Sequence, residues 1–343
     1  MTSTYRILVV GPAWVGDMVM AQSLFMALKQ EYTKCQIDVL APEWTFALIE
    51  RMPEIRKAIA MPLGHGQLNL GERRALGKQL RAENYDRSIV LPNSWKSALV
   101  PFFANIPLRT GFIGEVRWGL LNDARKLDKT VLTKTVQRFV ALAPEQHNNA
   151  VPDIPQPRLL IDPSSVSEAK RNFDIADSDQ PVLGLCPGAE FGPAKRWPEA
   201  YYAEVAKQFI AKGGQVYLFG SNKDVPVTAD INRLSGGKCL DLAGKTSMTE
   251  AIDLMSLCNA VVSNDSGLMH VAAALNIKLI ALYGSSDPGF TPPLHPEAEV
   301  ITLNLPCSPC FKRECPLEHL DCLNKILPSQ VLEVLETMAI HQK

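Results

Sequence analysis

Short apolar runs alternate with helix-period stretches through most of the chain. Arg6–Val10, Gln36–Leu40, Ala58–Met61 and Arg87–Leu91 have the near-continuous apolar character of buried parallel strands. Between them, Met18–Tyr32, Glu72–Asn84 and Ser94–Asn105 carry apolar residues at helical spacing. In Glu72–Asn84, Ala75, Leu76 and Leu80 share one face, while Arg73, Arg74, Lys78 and Arg81 lie largely on others. The pattern then lapses: Pro144, Pro152, Pro155, Pro157 and Pro163 crowd a stretch without period, which reads as a linker. It resumes with strand Val182–Cys186, helix Pro198–Lys212, strand Gln215–Gly220, helix Val225–Leu234 and helix Met248–Cys258. Strand Ala260–Ser263, helix Gly267–Leu275 and strand Lys278–Tyr283 follow, and a last helix, Ser329–His341, lies behind Pro328. Strand–helix alternation of this kind predicts an α/β protein with parallel sheets covered by helices on both faces. The expected organisation is a first domain over 1–150, a linker over 151–164, a second domain over 165–328 and a C-terminal helix over 329–343. That helix is expected to pack back toward the first domain.

Length and composition narrow the class. At 343 residues the chain is long enough for two domains. With 46% hydrophobic and 21% charged residues, it is ordinary for a folded globular chain and not for a disordered one. The net charge of −1 argues against a nucleic-acid binder. The apolar run Ile7–Val10 is too short for a secretory core, and no stretch approaches the roughly 20 apolar residues of a spanning helix. A cytoplasmic protein is therefore expected. From Gly71 to Lys126, ten basic residues stand against five acidic ones, either an ordinary solvated face or a patch for an anionic partner. The neighbouring Trp95, Phe102 and Phe103 are expected in the core.

Three loops carry the candidate chemistry. Gly11-Pro12-Ala13-Trp14-Val15-Gly16-Asp17 follows the first strand and is neither a dinucleotide fingerprint nor a Walker A loop. Asp17 is either the N-cap of the next helix or a general base held over a ligand. Cys186-Pro187-Gly188-Ala189 leads into Lys195-Arg196-Trp197-Pro198. Free backbone N–H groups, cations and a helix start suit a diphosphate, although a solvated basic turn would read the same way. Asn264-Asp265-Ser266-Gly267-Leu268-Met269-His270 follows another strand and opens a helix whose dipole favours anions. Asp224, behind Gly220-Ser221-Asn222-Lys223, either holds ribose hydroxyls or caps the helix after it.

These motifs, in this order, resemble the ADP-heptose:lipopolysaccharide heptosyltransferases, glycosyltransferase family 9. Met61-Pro62-Leu63-Gly64-His65-Gly66, Gly71-Glu72-Arg73-Arg74, and Leu91-Pro92-Asn93-Ser94 with Lys96-Ser97-Ala98 add to the resemblance. So does the wording of the first loop, which is similar to the branch that transfers to the first heptose of the inner core. The resemblance implies the GT-B architecture, two Rossmann-like doubly wound domains facing a central cleft. It implies an inverting transfer of L-glycero-D-manno-heptose from ADP-heptose to a heptosyl-Kdo2-lipid A acceptor by single displacement. Asp17 would be the base. Gly188, Lys195, Asp224, Asp265, Ser266, Gly267 and His270 would bind the donor. Arg73, Arg74 and Lys96 are the expected acceptor contacts, at the cytoplasmic face of the inner membrane. The alternatives are a different acceptor within the family, a GT-B-like nucleotide-sugar epimerase, against which the basic patch of 71–126 argues, and a catalytically silent module on the same fold, against which Asp17 argues. None of the three candidate loops contains an Asp-x-Asp to bring a metal to the diphosphate, so no cofactor is expected for catalysis. Of eight cysteines, Cys35, Cys186, Cys239 and Cys258 are scattered beside apolar runs and read as buried thiols. The other four, Cys307, Cys310, Cys315 and Cys322, are spaced either for a small structural Zn²⁺ site or for packed thiols.

Overall fold

The computed structural model describes residues 4–64, 66–145 and 150–338. The chain divides into two units, Met1–Pro157 and Arg158–Lys343. The division falls inside the proline-rich stretch, which has no regular structure from 151 to 162 and then starts a helix, Pro163–Asn172. Asp162 caps that helix, accepting from the Ser164 N–H, and proline sits at its first position, where a missing N–H costs nothing.

The first unit is built on β1 (Arg6–Val10), β2 (Gln36–Ala41), β3 (Ile55–Ala60), β4 (Arg87–Val90), β5 (Leu108–Phe112) and β6 (Asp123–Arg125). The strands run parallel in the order β3-β2-β1-β4-β5-β6. The second unit is built on β7 (Val182–Cys186), β8 (Gln215–Leu218), β9 (Leu240–Asp241), β10 (Ala260–Asn264), β11 (Lys278–Leu282) and β12 (Glu299–Ile301). They too run parallel, in the order β12-β11-β10-β7-β8-β9. Counted from its own first strand, each sheet has the 3-2-1-4-5-6 order of a doubly wound nucleotide-binding fold. The central strands are apolar on both faces because helices cover both. Ile7, Leu8 and Val9 of β1 and Ala260, Val261 and Val262 of β10 are all fully buried.

That order fixes where ligands can bind. In each sheet the strand order reverses beside the first strand, between β1 and β4 and between β7 and β10. The loops beyond the carboxyl ends of those strands part around a crevice. All three sequence motifs lie in such loops.

The last helix, Pro328–Thr337, packs within the second unit. Val331 and Leu335 are buried in the same core as Trp197, Tyr202 and Val205 of the second unit. Lys212 and Glu336 pair at 2.5 Å on its outer side. The apolar stripe of the helix is thus used within the core of the second unit. Residues 339–341 of the expected helix lie outside the described residues.

Candidate active site

In the first unit, the backbone of the β1 loop is pinned on both sides. Gly11 N–H donates to the Leu40 carbonyl at 2.9 Å, and Leu91 N–H to the Val10 carbonyl at 3.1 Å. The Trp44 indole N–H donates to the Ala13 carbonyl at 2.9 Å. The helix Val15–Glu31 begins here with Trp14 at its N-cap, so Asp17 is the third helical residue and not the cap. Asp17 is half-buried in the first turn, where an acidic side chain complements the helix dipole. A carboxylate in a rigid turn at a sheet's switch point is what a general base requires.

The residues expected on the acceptor side stand in different surroundings. Arg73 is only 5% exposed. Its guanidinium donates to the carbonyls of Leu68 (2.6 Å), Gln67 (3.1 Å) and Lys96 (3.2 Å), so it ties the 67–68 segment to the 96 loop. Burial lowers its pKa. Arg73 thus clamps main-chain carbonyls of two loops together. Arg87, Arg117 and Arg125 are buried in the same way. Arg87 donates to the carbonyls of Leu142, Ala143 and Pro144 and Arg117 to those of Pro92 and Phe112. Much of the basic excess of 71–126 is therefore turned inward. Arg74 is exposed and Lys96 half-buried. Arg74, Lys78, Arg81, Leu70, Phe102 and Phe103 line a surface pocket of about 390 Å³. Trp95 and Phe102, expected in the core, are instead 37% and 39% exposed. His65 lies outside the described residues.

In the second unit, Asn264 staples the two donor-side loops together at the end of β10. Its amide donates to the Pro187 carbonyl at 2.7 Å, and its Oδ1 accepts from the Trp197 N–H at 3.1 Å and the Tyr202 hydroxyl at 3.0 Å. This brings the β7 loop onto the β10 loop. There Lys195 Nζ meets Asp265 Oδ2 at 2.5 Å, with the lysine side chain 17% exposed and the aspartate 5%. Ser266 takes the N-cap position of the helix Gly267–Ala274 without a side-chain cap bond, so the first-turn N–H groups remain open to an anion. His270, one turn further, is buried with its Nδ1 unpartnered among the described residues. Burial pushes its pKa down to about 4, with Lys195 pushing the same way and Asp265 opposing. The imidazole is therefore neutral at pH 7 and offers a hydrogen-bonding group, not a cation.

Asp224 is buried behind Gly188. A Cβ on Gly188 would sit 2.5 Å from the Asp224 carboxyl carbon, so only glycine allows this approach. Asp224 Oδ2 accepts from the Ser221 N–H (2.9 Å) and hydroxyl (2.8 Å), and Arg196 approaches Oδ1 at 4.0 Å. It occupies the N-cap position of the helix Val225–Leu234 but bonds back to Ser221, not forward into that helix. Sequence reading missed Asn264 as a staple. It also missed Ser285 and Ser286 beyond β11, which are buried with unpartnered hydroxyls among the described residues. Such orphaned groups are costly unless a ligand or water satisfies them. Their signal was small polar residues at a third strand end.

The four clustered cysteines carry free thiols, and no group of three or more His, Cys, Asp or Glu among the described residues is arranged to hold a metal ion. Their segment nonetheless touches the donor loops, since Ala194 N–H donates to the Arg313 carbonyl at 3.0 Å and Phe311 N–H to the Ser285 carbonyl at 2.7 Å. Cys186 is fully buried, which pushes its thiol pKa well up and removes it as a nucleophile. No helix among the described residues is long and apolar enough to cross a membrane.

Comparison with known proteins follows the same lines. The model of glycosyltransferase family 9 (heptosyltransferase) matches residues 73–321. The chain is 52% identical over 342 residues to lipopolysaccharide heptosyltransferase 2 of Salmonella typhimurium, covering 97% of this chain and 98% of that one. It is 50% identical over 347 residues to lipopolysaccharide heptosyltransferase 2 of Escherichia coli, covering 98% and 99%. The solved structure of E. coli ADP-heptose lps heptosyltransferase II superposes with a TM-score of 0.85 at 47% identity, covering 97% of this chain and 98% of that one.

Proposed function

This chain belongs to glycosyltransferase family 9, the heptosyltransferases, and from that premise we propose that it transfers heptose from ADP-heptose to the first heptose of the lipopolysaccharide inner core. That is the second-heptose reaction for which its relatives are named. The observation that carries the donor half is the Lys195–Asp265 pair set beside the open N-terminus of the helix Gly267–Ala274. Lys195 and the first-turn N–H groups take the negative charge that grows on the departing diphosphate. Asp265 accepts from donor sugar hydroxyls, and Ser266, Gly267 and neutral His270 line the diphosphate and nucleoside. Gly188 lets the backbone approach, and Asp224 supports that loop from behind and offers its second oxygen toward the ribose.

Asp17 takes the proton from the acceptor hydroxyl as its oxygen forms a bond to the anomeric carbon. The bond from that carbon to the diphosphate breaks on the opposite face, ADP leaves and the configuration inverts. Arg74 and Lys96 offer charge to acceptor phosphates, while Arg73 holds the segment that presents them. Exposed Phe102 beside Arg74, Lys78 and Arg81 supports a peripheral approach to an anionic lipid surface.

The test is mass spectrometry after incubation with ADP-heptose and each of two acceptors. Heptosyl-Kdo2-lipid A should gain one heptose and Kdo2-lipid A none. A gain on Kdo2-lipid A alone would move the protein to the first-heptose reaction, and no gain on either would overturn the reading.

A further inference from the structure

The Phe191 ring, in the loop beyond β7, has a cation at each of two contacts. Lys195 Nζ lies 5.1 Å from the ring centroid and the Arg313 guanidinium carbon 5.4 Å. The two cations come from distant segments, and the main chain holds them together. The Arg313 carbonyl accepts from the Ala194 N–H at 3.0 Å. A Cβ on Gly192 would lie 2.5 Å from that same oxygen, so glycine alone lets the two segments approach. Further along the segment, Phe311 N–H donates to the Ser285 carbonyl at 2.7 Å, and the Ser308 hydroxyl to the Gly284 carbonyl at 2.5 Å. The cysteine-rich segment is thus tied to the loops beyond β7 and β11 at once, with Arg313 at the junction.

Three other cations of this rim, Lys195, Lys223 and Arg196, face carboxylates. Lys195 pairs with Asp265 and Lys223 with Glu190, both at 2.5 Å, and Arg196 stands 4.0 Å from Asp224. Among the described residues Arg313 joins no ion pair, and it is exposed. A guanidinium offers a planar fork that matches two phosphate oxygens.

We propose that Arg313 binds the phosphates of the nucleotide-sugar donor as a second cation beside Lys195. This rests on the donor-site reading given above. The same chemistry would suit a phosphate on the acceptor, but Arg313 is anchored to the donor loops, so the donor is the source inferred.

Calorimetric titration of ADP into the full chain tests this, with the Arg313→Ala, Arg313→Lys and Lys195→Ala variants alongside. Arg313→Ala should weaken ADP by roughly tenfold, the scale of a hydrogen bond to a charged group. Its melting temperature without ADP should be unchanged because the side chain is exposed. Arg313→Lys should recover part of the affinity, since it keeps the charge and loses the fork. ADP binding by Arg313→Ala as tight as in the unaltered chain, with Lys195→Ala weakened, would overturn the inference and leave the donor site standing. A rise in the acceptor KM alone would also overturn it, placing Arg313 on an acceptor phosphate. No ADP binding by the unaltered chain would overturn the donor reading and this inference together.

Discussion

His270 shows how burial sets the chemistry of a single side chain. Its imidazole titrates near 4 in the folded chain and near 6.5 when unfolded. Between those values the unfolded chain binds the extra proton, so stability rises with pH there. The contribution is present above about pH 6.5 and is lost as pH falls toward 4. A His270→Asn variant should therefore show a flatter melting-temperature profile from pH 7 to 4 than the unaltered chain. Parallel profiles would mean that the imidazole is not held neutral by burial. The motif around His270 was legible in the sequence because Asn-Asp-Ser-Gly at a strand end is a chemical signal. Its charge state was not, since that depends on what surrounds it in space. Arg73 illustrates the converse: residue type suggests an anion contact, and only the fold shows four carbonyl and thioether partners around its guanidinium.

Loops and strands hold these residues through main-chain carbonyls. Replacing Arg73 by lysine keeps the charge but loses the fork that spans Leu68, Gln67 and Lys96, and should lower stability by about 1–3 kcal/mol. Urea unfolding measures this. An unchanged midpoint with only a raised acceptor KM would return Arg73 to the acceptor site. Asn264→Ala would strand the Trp197 N–H and the Pro187 carbonyl in a buried setting and leave the Tyr202 hydroxyl only its longer bond to the Cys186 carbonyl, at 3.4 Å. It should cost about 2–3 kcal/mol and weaken ADP binding by loosening the β7 and β10 loops together. Full donor affinity in that variant would show that the staple is not needed to shape the site. The interior strands β1, β2, β7 and β11 stood out in the sequence as apolar runs. Strands β5 and β6 did not, because Leu108–Phe112 contains Arg109 and Gly111 and Asp123–Arg125 is mostly polar. Their arginines are satisfied by carbonyls and Asp123, a solution that no periodicity reports. The last helix showed its apolar stripe plainly, but a stripe does not say which unit it will cover.

Across the whole molecule, charge divides between the units. Residues 1–157 carry 19 Lys and Arg against 14 Asp and Glu, a net of +5, and the remainder carries −6. That asymmetry suits an anionic lipid acceptor on the first unit, even with several arginines turned inward. The two units also divide the proposed chemistry, with the base in the first and the leaving-group site in the second. Because Lys195 and helix N–H groups are assigned the diphosphate charge, chelating divalent cations should leave turnover unchanged. A loss restored by added Mg²⁺ would give that task to a metal. The doubly wound fold and the order of the three motifs were visible from alternation and loop wording. The clamping role of the arginines was not, because it is a property of closure in three dimensions. The most direct test of the divided site is the Asp17→Asn variant, assayed for heptose transfer and for ADP affinity on the same preparation. Transfer should fall by roughly a hundredfold or more while ADP binds as in the unaltered chain. Near-normal transfer, or an equal loss of ADP binding, would contradict the assignment of Asp17 as the base.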